Sequence, residues 1–528
     1  MFFARPFRLN LLGTVSLSLG LAASLAGCTV GPDFHEPHAA VPGGFTSQAP
    51  DANPYVSGDA VDPQWWNSFN DPELTKLEAE AVKQNLDLQI ATQRLLEAEG
   101  EAQVQGAVLY PNLNGGGSYT REGPSEKGPF GLFSSAVSSY TNAGNTASGQ
   151  SGSVGGGALV IPANAFDLYQ YGLQTQYDLD LFGKNRRLVE EAIAQARSSE
   201  EARRAALLNV EAQVASNYIQ LRGTQAVLII TQKNLDTANQ LVNLTVQRQQ
   251  AGLTTQLDVA NARSAAAAIA AQIPTLIAQR DAIIGQIGLL LGQTPEGLPQ
   301  ELVTAAPEPL TPPTVPVGLP SQLVQRRPDV REAVQSLHAA TAGVGVAVAQ
   351  FFPDFTISAS ASLQSLQLKD LNEWKALTYA IGPSVTVPIF EGGSLRGQLH
   401  LRKAQQREAA ISFAKTVLVA FTQVNTALTT YEQEHATLQQ LNIDVEQSHI
   451  ALGLAEEQYT QGLSDYLTVL NAQQSYLNAQ QNQAQSMERL GTDLVTLYQA
   501  LGGGWEGMYP AAADGVKPPL VMRLTSPF

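Results

Sequence analysis

The sequence contains little cysteine, histidine or charge, and each shortage excludes a class of protein. Its 528 residues include one Cys, which excludes a disulfide framework and a zinc site built on cysteines. The six His are scattered, without the H-x-x-x-H spacing of a helical metal site. Charged residues make up 15% of the chain, whereas soluble domains average about 25%. They comprise 47 acidic and 31 basic side chains, and this excess of acid argues against nucleic-acid binding.

Motifs of catalysis are also lacking. The segment Gly183-Lys184-Asn185 does not have the spacing of a phosphate-binding loop. Around residues 144–157, Gly and Ser are so frequent that a nucleophile motif would arise by chance. We therefore expect no catalytic residue, no bound metal and no cofactor, and a periplasmic enzyme is the least favoured alternative.

The N-terminus has the organisation of a secretion signal. Arg5 and Arg8 precede an apolar stretch over residues 9–23, which is too short to span a membrane as a helix. A Leu-Ala-Gly tripeptide and Cys28 follow, and this sequence resembles a bacterial lipobox, in which the Cys is lipidated after cleavage. We predict a signal peptide over 1–27 and a covalent lipid (palmitate) on Cys28, with a lone buried cysteine as the alternative.

Long stretches without proline predict long helices. No Pro occurs between Pro162 and Pro274 or between Pro388 and Pro510, and both stretches are rich in Ala, Gln and Leu. At about 1.5 Å per residue, each long helix would measure roughly 100 Å. The long helices are predicted over 184–250 and 394–461, and shorter ones over 73–106, 254–294, 321–350 and 465–501.

The chain repeats itself. The segment from Ala251 to Ala262 aligns with that from Gln461 to Ala472 at an offset of 210 residues, and Tyr110 aligns with Phe352 at an offset of 242. We expect two short helices to lie end to end beside each long helix. The predicted order is an extended lipidated tether over 28–72, a first repeat over 73–294, a Pro-rich linker over 295–320, a second repeat over 321–501 and a C-terminal segment over 502–528.

Four segments alternate apolar and polar residues and predict β-strands, at about 111–121, 166–182, 353–365 and 377–390. Their polar faces are small and uncharged, and aromatic residues cluster where strands and helices join. Both features are typical of a transmembrane β-barrel, and a soluble half-buried sheet is the alternative. Four strands cannot close a barrel in lipid, so several chains must build one barrel together. Two, three or four chains would give a barrel of 8, 12 or 16 strands.

Several segments along the chain match the motifs of one family: Cys28 to Asp33, Trp65-Trp66 with Phe69, Asp71-Pro72, Arg326 to Ala333, Phe351-Phe352-Pro353, and two Gly-Leu helix turns. They span nearly the whole mature chain. On these segments the chain resembles TolC/NodT-type outer-membrane factors, the outer-membrane efflux lipoproteins of tripartite RND-type pumps that confer drug resistance.

The resemblance implies a mixed α and transmembrane β fold that assembles as a homotrimer. Its 12-stranded barrel in the outer membrane would continue as a 12-helix coiled-coil barrel through the periplasm. The tether, the 295–320 linker and the C-terminal segment would form an equatorial belt. Implied partners are outer-membrane lipid, a periplasmic adaptor (membrane fusion) protein and a proton-driven pump of the inner membrane.

By the same resemblance, the two Gly-Leu turns are periplasmic tips that contact the adaptor and gate the duct. The adaptor contacts would be Gly252, Leu253, Thr254, Gly462, Leu463 and Ser464. Family members narrow the pore with a Leu and an Asp at the positions of Leu467 and Asn471. Because the Asp is absent here, we predict a hydrophobic constriction at Leu467 with Asp465 and Asp258, and ordinary helix packing is the alternative for these residues.

Two rival functions stay open at the level of sequence. A duct for type I protein secretion would have the same fold and differ in its substrate. A coiled-coil lipoprotein without a pore is the second rival, and the four segments of alternating apolar and polar residues argue against it.

Overall fold

A computed structural model describes residues 29–37, 55–57, 59, 62–123, 165–298, 302–309, 311–312, 314–318 and 325–508. The predicted signal peptide, Cys28 and the residues after 508 lie outside the described residues. Within the described part the helices are α1 Pro72–Gln84, α2 Leu86–Gly106, α3 Lys184–Gln250, α4 Gln256–Ala270, α5 Gln272–Leu290, α6 Pro328–Ala349, α7 Ser394–Thr460, α8 Tyr466–Leu501 and α9 Trp505–Met508. The strands are β1 Val56–Ser57, β2 Asn112–Glu122, β3 Phe166–Asp178, β4 Val315–Pro316, β5 Asp354–Ser365 and β6 Leu377–Thr386.

The chain divides into two compact units. The sheet unit contains Met1–Pro32, Val104–Val189 and Val344–His400, and the helical unit contains Asp33–Gln103, Glu190–Gly343 and Leu401–Phe528. Each unit draws on both predicted repeats, so the division in space differs from the division along the chain.

The sheet unit is built on one antiparallel sheet with the strand order β2-β3-β5-β6. The strands lie where the alternation predicts them, but two are shorter than expected. Strand β3 ends at Asp178 rather than near 182, and β6 ends at Thr386 rather than near 390. At the end of β3 the reason is visible: Asp180 has a positive φ of 45°, and its carboxylate accepts hydrogen bonds from the backbone amides of Asn185 and Arg186, so it caps α3.

Helices α3 and α7 each have 67 residues and begin and end within one residue of the predicted bounds. The prediction of single helices over 73–106 and 254–294 is wrong, because each is interrupted. Asn85 ends α1, and its side-chain oxygen accepts a hydrogen bond from Leu88 N at 2.9 Å, as an N-cap of α2. Helix α4 ends before Ala271, three residues ahead of Pro274, which has no amide hydrogen to donate to the preceding turn.

Short helices meet end to end in both repeats. Asn85 Nδ2 donates to the carbonyl of Leu290 at 2.8 Å, which joins the start of α2 to the end of α5. In the second repeat, Arg327 Nη1 donates to the carbonyl of Ala500 at 2.7 Å, which joins the start of α6 to the end of α8. Arg327 follows Asn85 by the 242-residue offset of the repeat, and Ala500 follows Leu290 by the 210-residue offset. The two repeats therefore build equivalent junctions with different side chains.

The main core of the helical unit forms where α1, α3, α5, α7 and α8 meet. It includes Trp65, Trp66 and Phe69 of a short 3-10 helix, all at most 1% exposed. The prediction of an extended tether over the whole of 28–72 is therefore wrong for these residues, because their rings pack into the core. Strand β1 of the tether pairs in parallel with β4 of the linker, so parts of both segments lie together.

Candidate functional site

One face of the four-stranded sheet is apolar from edge to edge. The register places the apolar residues of neighbouring strands opposite one another: Leu173 pairs with Ala361, and Ala361 pairs with Tyr379. The opposite face carries uncharged polar groups in the same continuous way. The apolar face includes Leu113, Tyr119, Tyr169, Tyr171, Leu173, Tyr177, Phe355, Ile357, Leu363, Leu377, Ile381 and Val385. The polar face includes Asn112, Asn114, Ser118, Gln170, Gln174, Gln176, Ser358, Ser360, Ser362, Gln364, Thr378 and Ser384.

Charged side chains of the sheet lie near the strand ends. Arg121 and Asp167 form an ion pair of 3.4 Å at one end, and Asp354 meets Lys184 at 3.4 Å at the other. The strands have 10 to 13 residues, which is enough to cross a bilayer at the usual tilt. An apolar band bounded by charge is the pattern of a strand that spans a membrane.

Aromatic residues gather where the strands give way to the long helices. The rings of Phe182 and Phe352 stack with centroids 4.7 Å apart. Ile389 and Phe390, just beyond β6, are 94% and 88% exposed. Large exposed apolar and aromatic side chains at this level are typical of a membrane–water interface.

The first tip, residues 251–255, and the second tip, residues 461–465, have the same backbone. Gly252 has a φ of +72° and Gly462 a φ of +77°, the left-handed conformation that glycine adopts without steric cost. Their amides bond to the carbonyls of Gln249 and Tyr459, and the amides of the following leucines bond to those of Arg248 and Gln458. Both tips are thus Schellman motifs, which end α3 and α7.

Each tip exposes its leucine. A Schellman motif usually packs the residue after its glycine against the third residue from the helix end. Here that third residue is Arg248 or Gln458, which is polar, and Leu253 and Leu463 stay 67% and 74% exposed. The remaining predicted contact residues, Thr254 and Ser464, lie between the leucines and the next helices.

The helices that follow the tips are capped by the same two residue types in opposite order. In the first tip Thr255 is the N-cap, and Asp258, three residues on, accepts its hydroxyl proton at 2.8 Å. In the second tip Asp465 is the N-cap and accepts from the Thr468 amide at 3.1 Å and hydroxyl at 2.7 Å. Hydrogen bonds from Thr254, the largest cause, and from Thr255 lower the pKa of Asp258, and those from Thr468 lower the pKa of Asp465. The two carboxylates predicted to be gate residues therefore act in helix capping.

Leu467 and Asn471 are both exposed on α8, one turn apart. Leu467 is the second residue of α8, and Leu257 is the second residue of α4 at the 210-residue offset; they are 53% and 66% exposed. Sequence reasoning missed Leu257, although the repeat alignment already pairs it with Leu467.

Arg248 joins the ends of the two long helices. Its guanidinium lies 4.6 Å from the centre of the Tyr459 ring, and Nη1 donates to the carbonyl of Thr460 at 3.1 Å. Tyr459 also meets Tyr466 edge to face, with centroids 5.7 Å apart, and burial raises the pKa of Tyr466 to about 12. Sequence reasoning missed Arg248 as well, because nothing local distinguishes it from other helical arginines.

The arrangement offers a sheet with the pattern of membrane-spanning strands in one unit and two helix tips with exposed leucines in the other. It brings together the predicted tip residues of each turn, and it leaves Cys28 outside the described residues.

Comparison with known proteins agrees with this geometry. The family model described as outer membrane efflux protein matches residues 77–293 and 319–503. The chain is 33% identical over 500 residues to the probable efflux pump outer membrane protein TtgC of Pseudomonas putida, covering 93% of this chain and 95% of the relative.

Solved structures agree as well. The outer-membrane channel OprN is 29% identical with a TM-score of 0.80, over 90% of this chain and 100% of that one. The outer membrane protein VceC of Vibrio cholerae is 28% identical with a TM-score of 0.74, over 85% of this chain and 100% of that one. The chain therefore belongs to the outer membrane efflux protein family, and it is an outer-membrane efflux channel that extends into the periplasm.

Proposed function

We propose that three copies of this chain form the passive exit duct of a tripartite efflux system for small molecules. The observation that carries the proposal is the register of the sheet, which gives one apolar face and one uncharged polar face. Among the described residues its two edges, β2 and β6, have no further strand partner. A sheet of this kind is stable in lipid only when its edges are closed. When β6 of each copy pairs with β2 of the next copy around a rotation axis, every edge gains a partner and the sheet closes into a barrel.

The space inside the barrel argues against two copies. A barrel of about eight strands has an interior that its own side chains fill, so two copies would leave no wide conduit. Twelve strands from three copies would enclose a water-filled lumen lined by the polar face. Three copies also agree with the TolC-type architecture that the sequence resembles.

Exposed apolar side chains on two helices support contact between copies. In the helical unit α7 exposes Ile411, Leu418 and Ile450 to between 51% and 70%, and α2 exposes Leu86 and Ile90 to about half. Helix α3 has far fewer such positions, since most of its apolar side chains are buried within the chain. We infer that α2 and α7 carry the surfaces through which neighbouring copies pack into a helical barrel.

The tips supply the gate and the adaptor contact of this proposal. Leu253 and Leu463 would receive the ends of a periplasmic adaptor, because each is exposed without an intramolecular use. Leu257 and Leu467 would form a hydrophobic constriction, with Asn471 one turn above Leu467. Opening would separate the long helices where Arg248 holds them together, and adaptor binding would favour the open state by its differential affinity.

A lipid on Cys28 would anchor the chain beside its barrel. The segment that follows Cys28 lies at the junction of β3 and α3: the amide of Val30 donates to the carbonyl of Phe182 at 3.1 Å, and Thr29 packs on Gly183. A lipid attached one residue earlier would therefore enter the bilayer near the aromatic side chains of that junction. Palmitate labelling of the wild type and its loss in Cys28→Ser tests the anchor.

Mass determination and conductance test the duct as a whole. The full-length protein, purified in detergent, is expected to have the mass of three chains and to give large, weakly selective steps in a planar bilayer. A monomer that does not conduct would overturn the proposal. A conducting trimer that fails to bind an adaptor would support the proposed duct and contradict the proposed adaptor contact at the tips.

A further inference from the structure

The first half of the described linker segment 302–309 is fastened to α3. Leu302 is fully buried in the core, and its carbonyl accepts a hydrogen bond from Gln225 Nε2 at 2.8 Å. Arg222 Nη1 donates to the carbonyl of Thr304 at 2.9 Å and to Gln225 Oε1 at 2.8 Å. The buried guanidinium of Arg222 is therefore engaged with the backbone of the linker.

The second half of the segment carries a largely buried carboxyl group, that of Glu308. Glu308 is largely buried, and its Oε1 has no hydrogen-bond partner among the described residues. Glu488 of α8 is close enough for its negative charge to raise the pKa of Glu308. Glu308 therefore lies within electrostatic reach of Glu488, and its buried oxygen Oε1 has no hydrogen bond that would stabilise a negative charge.

The position of Glu488 is fixed by its contact with α3. A Cβ added to Gly223 would lie 2.7 Å from Cβ and Cγ of Glu488, so only glycine leaves room for this side chain. Glycine at 223 therefore allows α8 to hold a carboxyl group against α3, beside the linker.

Neighbouring basic groups are engaged elsewhere. Arg489, next to Glu488 on α8, pairs with Glu434 of α7 at 3.2 Å, and Arg222 of α3 holds the linker backbone. Burial, partly offset by Arg489, raises the pKa of Glu488 to about 7. Burial and the charge of Glu488 raise the pKa of Glu308 to about 7 as well.

We propose that residues 302–309 are a pH-sensitive strap, which is held on α3 and α8 while Glu308 and Glu488 are protonated and loosens when both are ionised. For an acid whose pKa is raised in the folded state, the stabilisation is complete below the ordinary value and is lost as the pH rises through the folded value. The window runs from the ordinary Glu value of 4.5 to about 7. The strap lies between the two stretches that the family model matches, residues 77–293 and 319–503.

Hydrogen exchange measured by mass spectrometry on the full-length protein in detergent tests the strap. After correction for the intrinsic rate, a peptide covering 302–309 is expected to open at least about tenfold more often at pH 8.5 than at pH 5.5. Glu308→Gln and Glu488→Gln imitate the protonated acids, so each is expected to protect the strap at pH 8.5 and to change little at pH 5.5. The double variant is expected to be independent of pH.

Glu446→Gln is the matched control, because Glu446 is an exposed glutamate of α7 and is expected to leave the wild-type dependence intact. Equal opening of the wild-type strap at both pH values would overturn the proposal, even if a variant failed to fold. An unchanged pH dependence in the double variant would overturn it as well. The readout is local to the strap, so failure here leaves the duct proposal standing.

Discussion

The guanidinium of Arg331 lies 5.1 Å from the centre of the Trp505 ring. Arg204 of α3 lies 4.9 Å from the same ring, and the indole nitrogen donates to the carbonyl of Gly502 at 3.1 Å. One aromatic side chain near the C-terminus therefore contacts cations from both repeats. Because cation–π contacts and a partly buried indole each stabilise the packing, Trp505 fastens α9 to α3 and α6 within the helical unit.

Replacing this ring tests the fastening. Trp505→Ala is expected to lower the free energy of unfolding of the helical unit by about 3 kcal/mol, the lower end for losing a large aromatic side chain. Trp505→Phe keeps a ring for the two guanidinium groups and loses the indole donor, so about half of that loss is expected. Circular dichroism during thermal unfolding at a fixed heating rate measures both. Equal melting temperatures for the three proteins would contradict the role of the ring.

A pair of adjacent strand residues tests which face of the sheet meets lipid. Ile381 lies on the apolar face opposite Ala359, and its neighbour Ala380 lies on the polar face opposite Ser360. Arginine on a lipid-facing strand position costs about 2–4 kcal/mol near the membrane centre. We expect Ile381→Arg to reduce the yield of protein assembled in the outer membrane several-fold and Ala380→Arg to leave it near wild type. The opposite result would reverse the assignment of the faces.

Much of the fold could be predicted because its signals are local. Alternation with a period of two sets the face of each strand residue, so the faces of Ile357 and Gln174 follow from sequence alone. The long stretches without proline likewise predict the two long helices. The break at Asn85 was not predictable in this way, because it depends on the distant carbonyl of Leu290. Trp65 was misplaced for a similar reason, since its burial depends on stacking against Tyr498, 5.2 Å away.

The residues of the candidate site likewise fall into those that local sequence patterns predict and those that they do not. The repeated Gly-Leu pairs predict both tips, because a left-handed helix end requires glycine in each copy. The capping roles of Asp258 and Asp465 depend on how threonine side chains fold back in the turns. The contact between Arg248 and Tyr459 joins two helices that are far apart in sequence, and no local pattern encodes it.

Charge at the tips is expected to weaken adaptor binding. Leu253→Glu with Leu463→Glu replaces two exposed apolar side chains by carboxylates that an apolar partner surface would have to desolvate. The affinity of the purified protein for the proposed periplasmic adaptor should fall at least about tenfold, as measured by surface plasmon resonance. Leu368→Glu is the matched control, since Leu368 is 64% exposed in the β5–β6 connection of the sheet unit. Equal losses in both variants would point to a general effect of added charge.

Removing Arg248 is expected to favour the open tips. Arg248→Ala loses a cation–π contact worth about 0.5–1 kcal/mol and a charged hydrogen bond of about 1.5–3 kcal/mol. A shift of this size changes the ratio of open to closed channels roughly tenfold or more. Single-channel recordings should therefore show a larger open fraction than the wild type. Arg263→Ala, on the exposed face of α4, is the control and is expected to conduct as the wild type does. Identical recordings from all three proteins would rule out Arg248 as a fastener of the gate.

The tips and the strap are expected to respond to pH in opposite directions. Asp258 has a lowered pKa, so its capping contribution is present above the ordinary Asp value of 3.8 and is lost as the pH falls through a lower value. Hydrogen exchange of a peptide at the start of α4 should therefore be constant from pH 5 to pH 8 and increase below about pH 4. Asp258→Ala should cost about 1 kcal/mol of local stability at neutral pH and remove the acid response. Asp258→Asn keeps a side-chain oxygen that accepts hydrogen bonds, so it should retain much of the protection but lose the acid response. A wild-type tip that loosens between pH 5 and pH 8 would show that another group controls it, because a carboxyl group with a lowered pKa stays ionised throughout that range.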